Sequence, residues 1–254
     1  MAPQQDDQTV VPVVHDVLGT LFPPTAASEP LKQLLPTLSD HLAHAIVEDW
    51  FHSAQRDFTY LSMMGKYTPI GQLFKSTLTR VLVEKRVLSA QDATTFDTST
   101  ITDMLPRISP RPSFKTEHEL LSKCDSVKFK LVAATNGATE TTRSLLNNSL
   151  GSQESKKWDV FSCDEIQIAK PSNKVYETVW ERLGLTNVEN RRAYFVASHQ
   201  WDCCAAKRAG FISVWTSYEE HLPLIEIWGQ PDIVATDLED AARQIIKREQ
   251  ERSK

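Results

Sequence analysis

The chain has 254 residues, 41% of them apolar, and a formal net charge of −5 at pH 7. That is enough for one large α/β domain, or a core with a smaller insertion, around an ordinary soluble interior. The acidic balance without a long basic run argues against nucleic acid or anionic membrane as main partners. No window approaches the roughly 18 to 20 apolar residues of a membrane span, and the polar N-terminus lacks the apolar core of a signal peptide, so a cytoplasmic protein is expected.

Residues 1–8 are polar and acidic and read as a frayed tail. Next, Val10-Val11-Pro12-Val13-Val14-His15-Asp16 runs apolar up to one acid, followed by Val17-Leu18-Gly19-Thr20-Leu21-Phe22. This predicts a buried strand that delivers Asp16 to its C-terminal tip, where open parallel sheets bind ligands. An acid capping the following turn is the alternative. His15, one residue earlier, points to the opposite face and reads as a packed core histidine.

After Phe22-Pro23-Pro24 the pattern turns helical. Leu42, Ile46, Trp50, Ala54, Phe58 and Leu61 recur at intervals of three and four and predict a long amphipathic helix over residues 38–61, ended by Gly65. A second helix is predicted over 70–87, with Leu73, Leu78, Val81 and Leu82 inward, and a short one from Ser89. The proline-rich stretch 106–112 reads as a stiff return. From there strands are predicted at 128–135, 160–162, 193–197, 211–215 and 232–235. Helices alternate with them at 140–148, 173–183, 202–209 and 238–249. Such alternation implies a parallel sheet covered by helices, with the helical block inserted as a cap over the strand tips. The four cysteines, Cys124, Cys163, Cys203 and Cys204, lack paired Cys-x-x-Cys spacing and read as free buried thiols.

The loops after these strands place polar groups at the edge that carries Asp16. They are Thr135-Asn136-Gly137, Lys170-Pro171 followed by Val175-Tyr176, and Ser198-His199-Gln200-Trp201-Asp202 before Ala209-Gly210-Phe211. With Asp16-Val17-Leu18-Gly19-Thr20-Leu21, this ordered set resembles the haloacid dehalogenase-like superfamily, and within it the type II L-2-haloacid dehalogenases. The resemblance runs from about residue 10 to 245 and includes the cap segment Gln55-Arg56-Asp57-Phe58-Thr59-Tyr60-Leu61. It implies a Rossmann-like α/β parallel sheet over residues 9–22 and 107–254 with an inserted α-helical cap over 23–106.

For chemistry the resemblance implies a nucleophilic Asp16 that displaces halide from C2 of a short 2-haloalkanoic acid with inversion, giving an ester that water cleaves. Lys170 keeps Asp16 ionised, unless it is only a structural ion pair. Thr20, Thr135 and Asn136 bind the substrate carboxylate or the developing oxyanion, although Thr135 could simply end its strand. Tyr176 and Asp202 support Lys170 and the water side, with Asp202 as a helix N-cap the alternative. Leu18, Ser198 and Trp201 fall among the substrate-side positions. No cofactor or metal is expected: Leu18 stands where phosphatase relatives carry a second acid, and Ser198 where they carry a magnesium-binding acid. Dimerisation through the cap is expected by analogy alone.

Two positions depart from the dehalogenase pattern. His52 stands where the family has the halide-binding arginine; a protonated His52 or Arg56 one turn away could replace it, or both are solvated cap residues. His199 stands at the family's asparagine, as a base or as pocket wall. These departures keep two further readings open: an enzyme of this fold acting on another electrophile as a lyase, dehydratase or cyclase, and a catalytically silent binding protein.

Overall fold

The computed structural model describes residues 10–187 and 191–252. The expected N-terminal tail at 1–8 lies outside them. In chain order the main elements are β1 (Val11–His15), α1 (Ser28–Leu34), α2 (Asp40–Met63), α3 (Ile70–Glu84), α4 (Ala90–Ala93), α5 (Ser99–Thr102) and α6 (Phe114–Ser122). They continue with β2 (Phe129–Thr135), α7 (Thr139–Glu154), β3 (Trp158–Ser162), α8 (Asn173–Leu183), β4 (Tyr194–Ala197) and α9 (Gln200–Arg208). The chain closes with β5 (Ile212–Thr216), α10 (Ile225–Trp228), β6 (Ile233–Ala235) and α11 (Leu238–Arg252).

All six strands form one sheet in the order β3-β2-β1-β4-β5-β6, and every pairing is parallel. β1 is central and buried along its whole length, as a strand covered on both faces must be. Pro12 is tolerated there because pairing with β4 begins only at Val13↔Tyr194. Even-numbered residues of β1 donate toward β4, as Asp16 N–H does to Val196 O at 2.9 Å, so the donor that Pro12 lacks would have met no ladder partner.

Alternation along the strands divides the core in two. Val14, Val132, Phe161, Phe195 and Trp215 pack with α8 and α9 and, continuously, with the apolar faces of α2 and α3. Val11, Val13, Leu131, Val160 and Val214 pack with α6, α7 and α11. The long predicted helix is present, but its buried stripe is Ala43, Ile46, Val47, Trp50, Phe51, Ala54 and Phe58. Leu42, expected inside, is 36% exposed; it lies in the first turn, where its N–H reaches the Ser39 cap. Gly65, at φ 69°, receives the chain just past this helix, and Lys66 N–H closes back to Leu61 O at 2.9 Å. Of the four free cysteines, Cys163 and Cys203 are buried, whereas Cys124 and Cys204 are only half-buried.

Helix α6 is absent from the sequence expectations, for a physical reason. Its inward positions are Phe114, Glu117, His118 and Leu121, so polar residues interrupt the apolar stripe. Both are accommodated by pairing: Glu117 with His15 at 3.0 Å, His118 with Glu154 at 2.8 Å and with the Trp158 indole N–H at 3.1 Å. His15 is thus a fully buried core histidine on the face away from α2, its ring 4.9 Å from that of Trp158.

The inserted helices reach over the strand tips at defined points. Ser62 Oγ accepts from Ala169 N–H at 2.9 Å, the Tyr67 hydroxyl donates to Asp164 at 2.6 Å, and the Phe51 ring lies 6.1 Å from that of His199.

Candidate active site

The segment after β1 folds into a tight turn in which Gly19 N–H bonds to Phe22 O at 2.8 Å and Phe22 N–H to Val17 O at 3.0 Å. Gly19 carries the strain of this turn at φ +94°, and a Cβ built on it would meet His199 Cε1 at 2.8 Å. Gly19→Ala is therefore expected to cost about 1–3 kcal/mol of backbone strain plus the clash. Gly65→Ala is also left-handed but meets open space and bears only the strain. Thermal unfolding of the two variants separates the terms; equal losses would show that the His199 contact contributes nothing.

The turn holds Asp16 with its carboxylate almost enclosed, the side chain 10% exposed. Lys170 Nζ lies 2.6 Å from Asp16 Oδ1 and 2.6 Å from Asp202 Oδ2, and is itself buried. Tyr176 donates its hydroxyl to Asp202 Oδ1. Asn136 fixes the lysine's backbone, its Oδ1 accepting from Lys170 N–H at 3.0 Å. Burial works against the ammonium, yet the attraction of Asp16 and Asp202 prevails and raises Lys170 above the usual lysine range. Burial is the main influence on Asp202, with Asp16 adding to it against the pull of Lys170, and its carboxyl is pushed up to about 6.

Several sequence expectations change here. Thr20 Oγ donates to Asp16 Oδ2 at 2.7 Å and accepts from Ser198 N–H at 3.0 Å. Its one proton is thereby directed at Asp16. Ser198, expected on the substrate side, is fully buried and bonds Thr216 Oγ at 2.8 Å, tying β4 to β5. Asp202 is not the helix cap: His199 holds that position in α9, and the Asp202 carboxylate turns to Lys170 and Tyr176. Thr135 ends β2, and its hydroxyl oxygen accepts from Gly137 N–H at 2.9 Å.

His199 is enclosed between Phe51 at 6.1 Å and Trp201 at 5.6 Å, both near-parallel to it. Neither ring nitrogen has a hydrogen-bond partner. Burial pulls its imidazole down to about 4 against the opposing influence of Asp16, so the ring is neutral at pH 7. His52 and Arg56 lie on the exposed side of α2 and line a cavity of about 440 Å³ with Asn136, Trp201 and Trp228. Arg56 Nε bonds Asp57 at 3.0 Å. Neither residue bonds the Asp16–Lys170–Asp202 group. Leu18 borders a second cavity, about 580 Å³, between α3 and the start of α7.

Two residues went unnoticed in the sequence. Arg111, in the proline-rich return, donates to Gly19 O at 2.7 Å, pairs with Glu219 and lies 4.2 Å from the Tyr218 ring centre. Burial pushes the Glu219 carboxyl up while Arg111 holds it back. Together they brace the turn that carries Asp16. Among the described residues no group of three or more His, Cys, Asp or Glu side chains is placed to hold a metal ion, and Asp16 and Asp202 are bridged by Lys170. Nor, among those residues, is any helix long and apolar enough to cross a membrane.

Comparison with known proteins gives concordant matches. A family model described as haloacid dehalogenase-like hydrolase matches residues 9–210. The (S)-2-haloacid dehalogenase of Pseudomonas sp. (strain YL) is 26% identical over 228 residues, 89% of this chain and 90% of that protein. That of Pseudomonas putida is 23% identical over 238 residues, 92% and 96% of the two chains. The L-2-haloacid dehalogenase from Xanthobacter autotrophicus, solved with chloropropionic acid covalently bound, superposes with a TM-score of 0.73 at 21% identity, covering 93% of this chain and 98% of that one. The structural likeness establishes a shared fold.

Proposed function

The chain belongs to the haloacid dehalogenase-like hydrolases, whose model matches residues 9–210, and from that premise we propose that it hydrolyses the carbon–halide bond of short 2-haloalkanoic acids without a metal. An Asp16 carboxylate oxygen attacks C2 from the side opposite the halogen. The C–O bond forms as the C–halogen bond breaks, and the halide leaves with the bonding pair. Configuration at C2 inverts, and the product is an ester of Asp16. Water then adds to the Asp16 carbonyl carbon, the tetrahedral intermediate collapses, and the 2-hydroxy acid departs as the carboxylate is restored with release of one proton.

The observation that carries this reading is the buried ammonium of Lys170 shared between Asp16 and Asp202, with Thr20 donating to the other Asp16 oxygen. An ionised, oriented carboxylate is what displacement at carbon requires. Halide needs no proton to depart, which suits Leu18 in place of an acid. Thr135 and Asn136 supply donors toward the substrate carboxylate or oxyanion. His52 or Arg56 on the cap, taken as residues 23–106 over a core of 9–22 and 107–254, receives the halide.

The test is free-halide release from each enantiomer of 2-chloropropionate with a chelator present. Release from one enantiomer only is expected, and none from either would refute the reading for short acids. One observation favours a second reading: the buried His199 beside Asp16 has neither ring nitrogen satisfied, which suits proton transfer in a lyase, dehydratase or cyclase. Turnover of a non-halogenated substrate that is lost in His199→Phe would establish it.

A further inference from the structure

The cavity beside Asn136 and Pro171 is larger than a halopropionate needs. At about 440 Å³ it lies within the roughly 300–1,000 Å³ that receives drug-sized ligands. One end is polar: Asn136 lines it while its Oδ1 accepts from Lys170 N–H at 3.0 Å. The rest is aromatic, with Tyr60 of α2, Trp201 of α9 and Trp228 of α10 around it. The Arg56 guanidinium at its wall is met by Asp57, which also binds Arg80 at 2.7 Å, so the charge on this side is largely answered within α2 and α3.

The stretch that supplies Trp228 is unusual for a surface. Leu222, Leu224, Ile225, Ile227 and Trp228 are 69, 41, 47, 66 and 38% exposed, and Tyr60 opposite is 58% exposed. Clustered exposed apolar side chains mark a binding surface more often than chance decoration. Here they adjoin a cavity whose wall includes Asn136 and Pro171, the residues bonded and next to Lys170, so an occupant lies beside the group that holds the nucleophile.

We propose that this cavity binds the C2 substituent of the substrate and that the preferred substrates are 2-halo acids with an aryl-bearing or long alkyl substituent. The inference rests on the dehalogenase reading of Asp16. The substituent stacks against Trp228 and Tyr60, with C2 held at Asp16 and the reaction otherwise unchanged.

The experiment compares halide release from 2-chloropropionate and 2-chloro-3-phenylpropionate by the full chain and by Trp228→Ala and Trp228→Phe. Calorimetric binding of the unreactive 3-phenylpropionate is measured alongside. The wild type is expected to favour the phenyl acid about tenfold in kcat/KM, the worth of burying one ring. Trp228→Ala loses that preference through a KM raised more for the phenyl acid than for 2-chloropropionate, and Trp228→Phe restores most of it. A short acid turned over as well as the phenyl acid by the wild type overturns the proposal. So does a phenyl preference that survives Trp228→Ala, which would place the substituent in the cavity beside Leu18. If neither acid releases halide, the dehalogenase reading fails and binding decides: 3-phenylpropionate held about tenfold more weakly by Trp228→Ala upholds the aromatic cavity, and equal binding overturns it.

Discussion

Asp16→Asn is expected to abolish halide release, with a loss on the order of 10⁴-fold or more, because an amide oxygen is a poor nucleophile and no neighbouring group is placed to replace it. The fold should survive. Asparagine keeps the shape of aspartate but has one acceptor for two donors. With its oxygen toward the Lys170 ammonium it gives up the Thr20 bond, while Lys170 retains Asp202 at 2.6 Å, so the buried charges become one cation and one anion. Cooperative thermal unfolding lowered by no more than about 1–3 kcal/mol, the cost of one lost buried hydrogen bond, together with lost turnover, would assign the defect to chemistry. A single turnover of the wild type in heavy-oxygen water separates two routes that the variant alone does not. If Asp16 forms the ester, the first product molecule carries oxygen from the protein. If Asp16 only activates water, the first product carries solvent oxygen, and the covalent mechanism falls.

The extent to which this site was legible in the sequence follows from how far apart its partners lie in the chain. Asp16 directly follows β1, Asp202 lies in the first turn of α9 just after β4, and Lys170 lies in the connection from β3 to α8, so the order of strands and helices puts all three at one edge of a parallel sheet. What they do to one another is not local. Thr20 reads as a substrate ligand until the Ser198 N–H, 178 residues away, is seen to fill its acceptor side and turn its proton to Asp16. Ser198 reads as a substrate residue until Thr216 claims its hydroxyl. Arg111 and Glu219 brace the Asp16 turn across separations of 92 and 108 residues, and an arginine between prolines carries no mark of such a task. Helix α6 was hidden because two of its buried positions are charged or titratable and are satisfied only by residues from other elements. Patterns of apolar residues reveal burial by hydrophobicity; burial by pairing leaves no periodic trace.

Lys170→Met removes the cation and keeps its bulk, and consequences for both stability and activity are expected. The variant leaves Asp16 and Asp202 facing each other in a buried site, and breaking such a pair costs about 3–5 kcal/mol. In the intact protein Asp202 already titrates at about 6, against an ordinary 3.8; without the ammonium that holds it down, its folded value rises further. A carboxyl raised on folding contributes stability that is fully present below its unfolded value and is lost as pH rises through the folded one. The stability deficit of the variant is therefore expected to be larger at pH 8 than at pH 5. Activity is lost as well. In the wild type, halide release rises as pH passes about 6, where Asp202 ionises and completes the anchor of Lys170. It then holds beyond pH 10, because the ammonium is raised above the usual lysine range. Above that rise the variant loses about 10²–10³-fold, the worth of one preorganised electrostatic contact, and its own profile lacks the rise near pH 6. Thermal unfolding at pH 5 and 8 with halide release across the range measures both. A variant equally stable at the two values and still active would make Lys170 a structural bystander, and would leave Thr20 as the one remaining group known to orient the nucleophile.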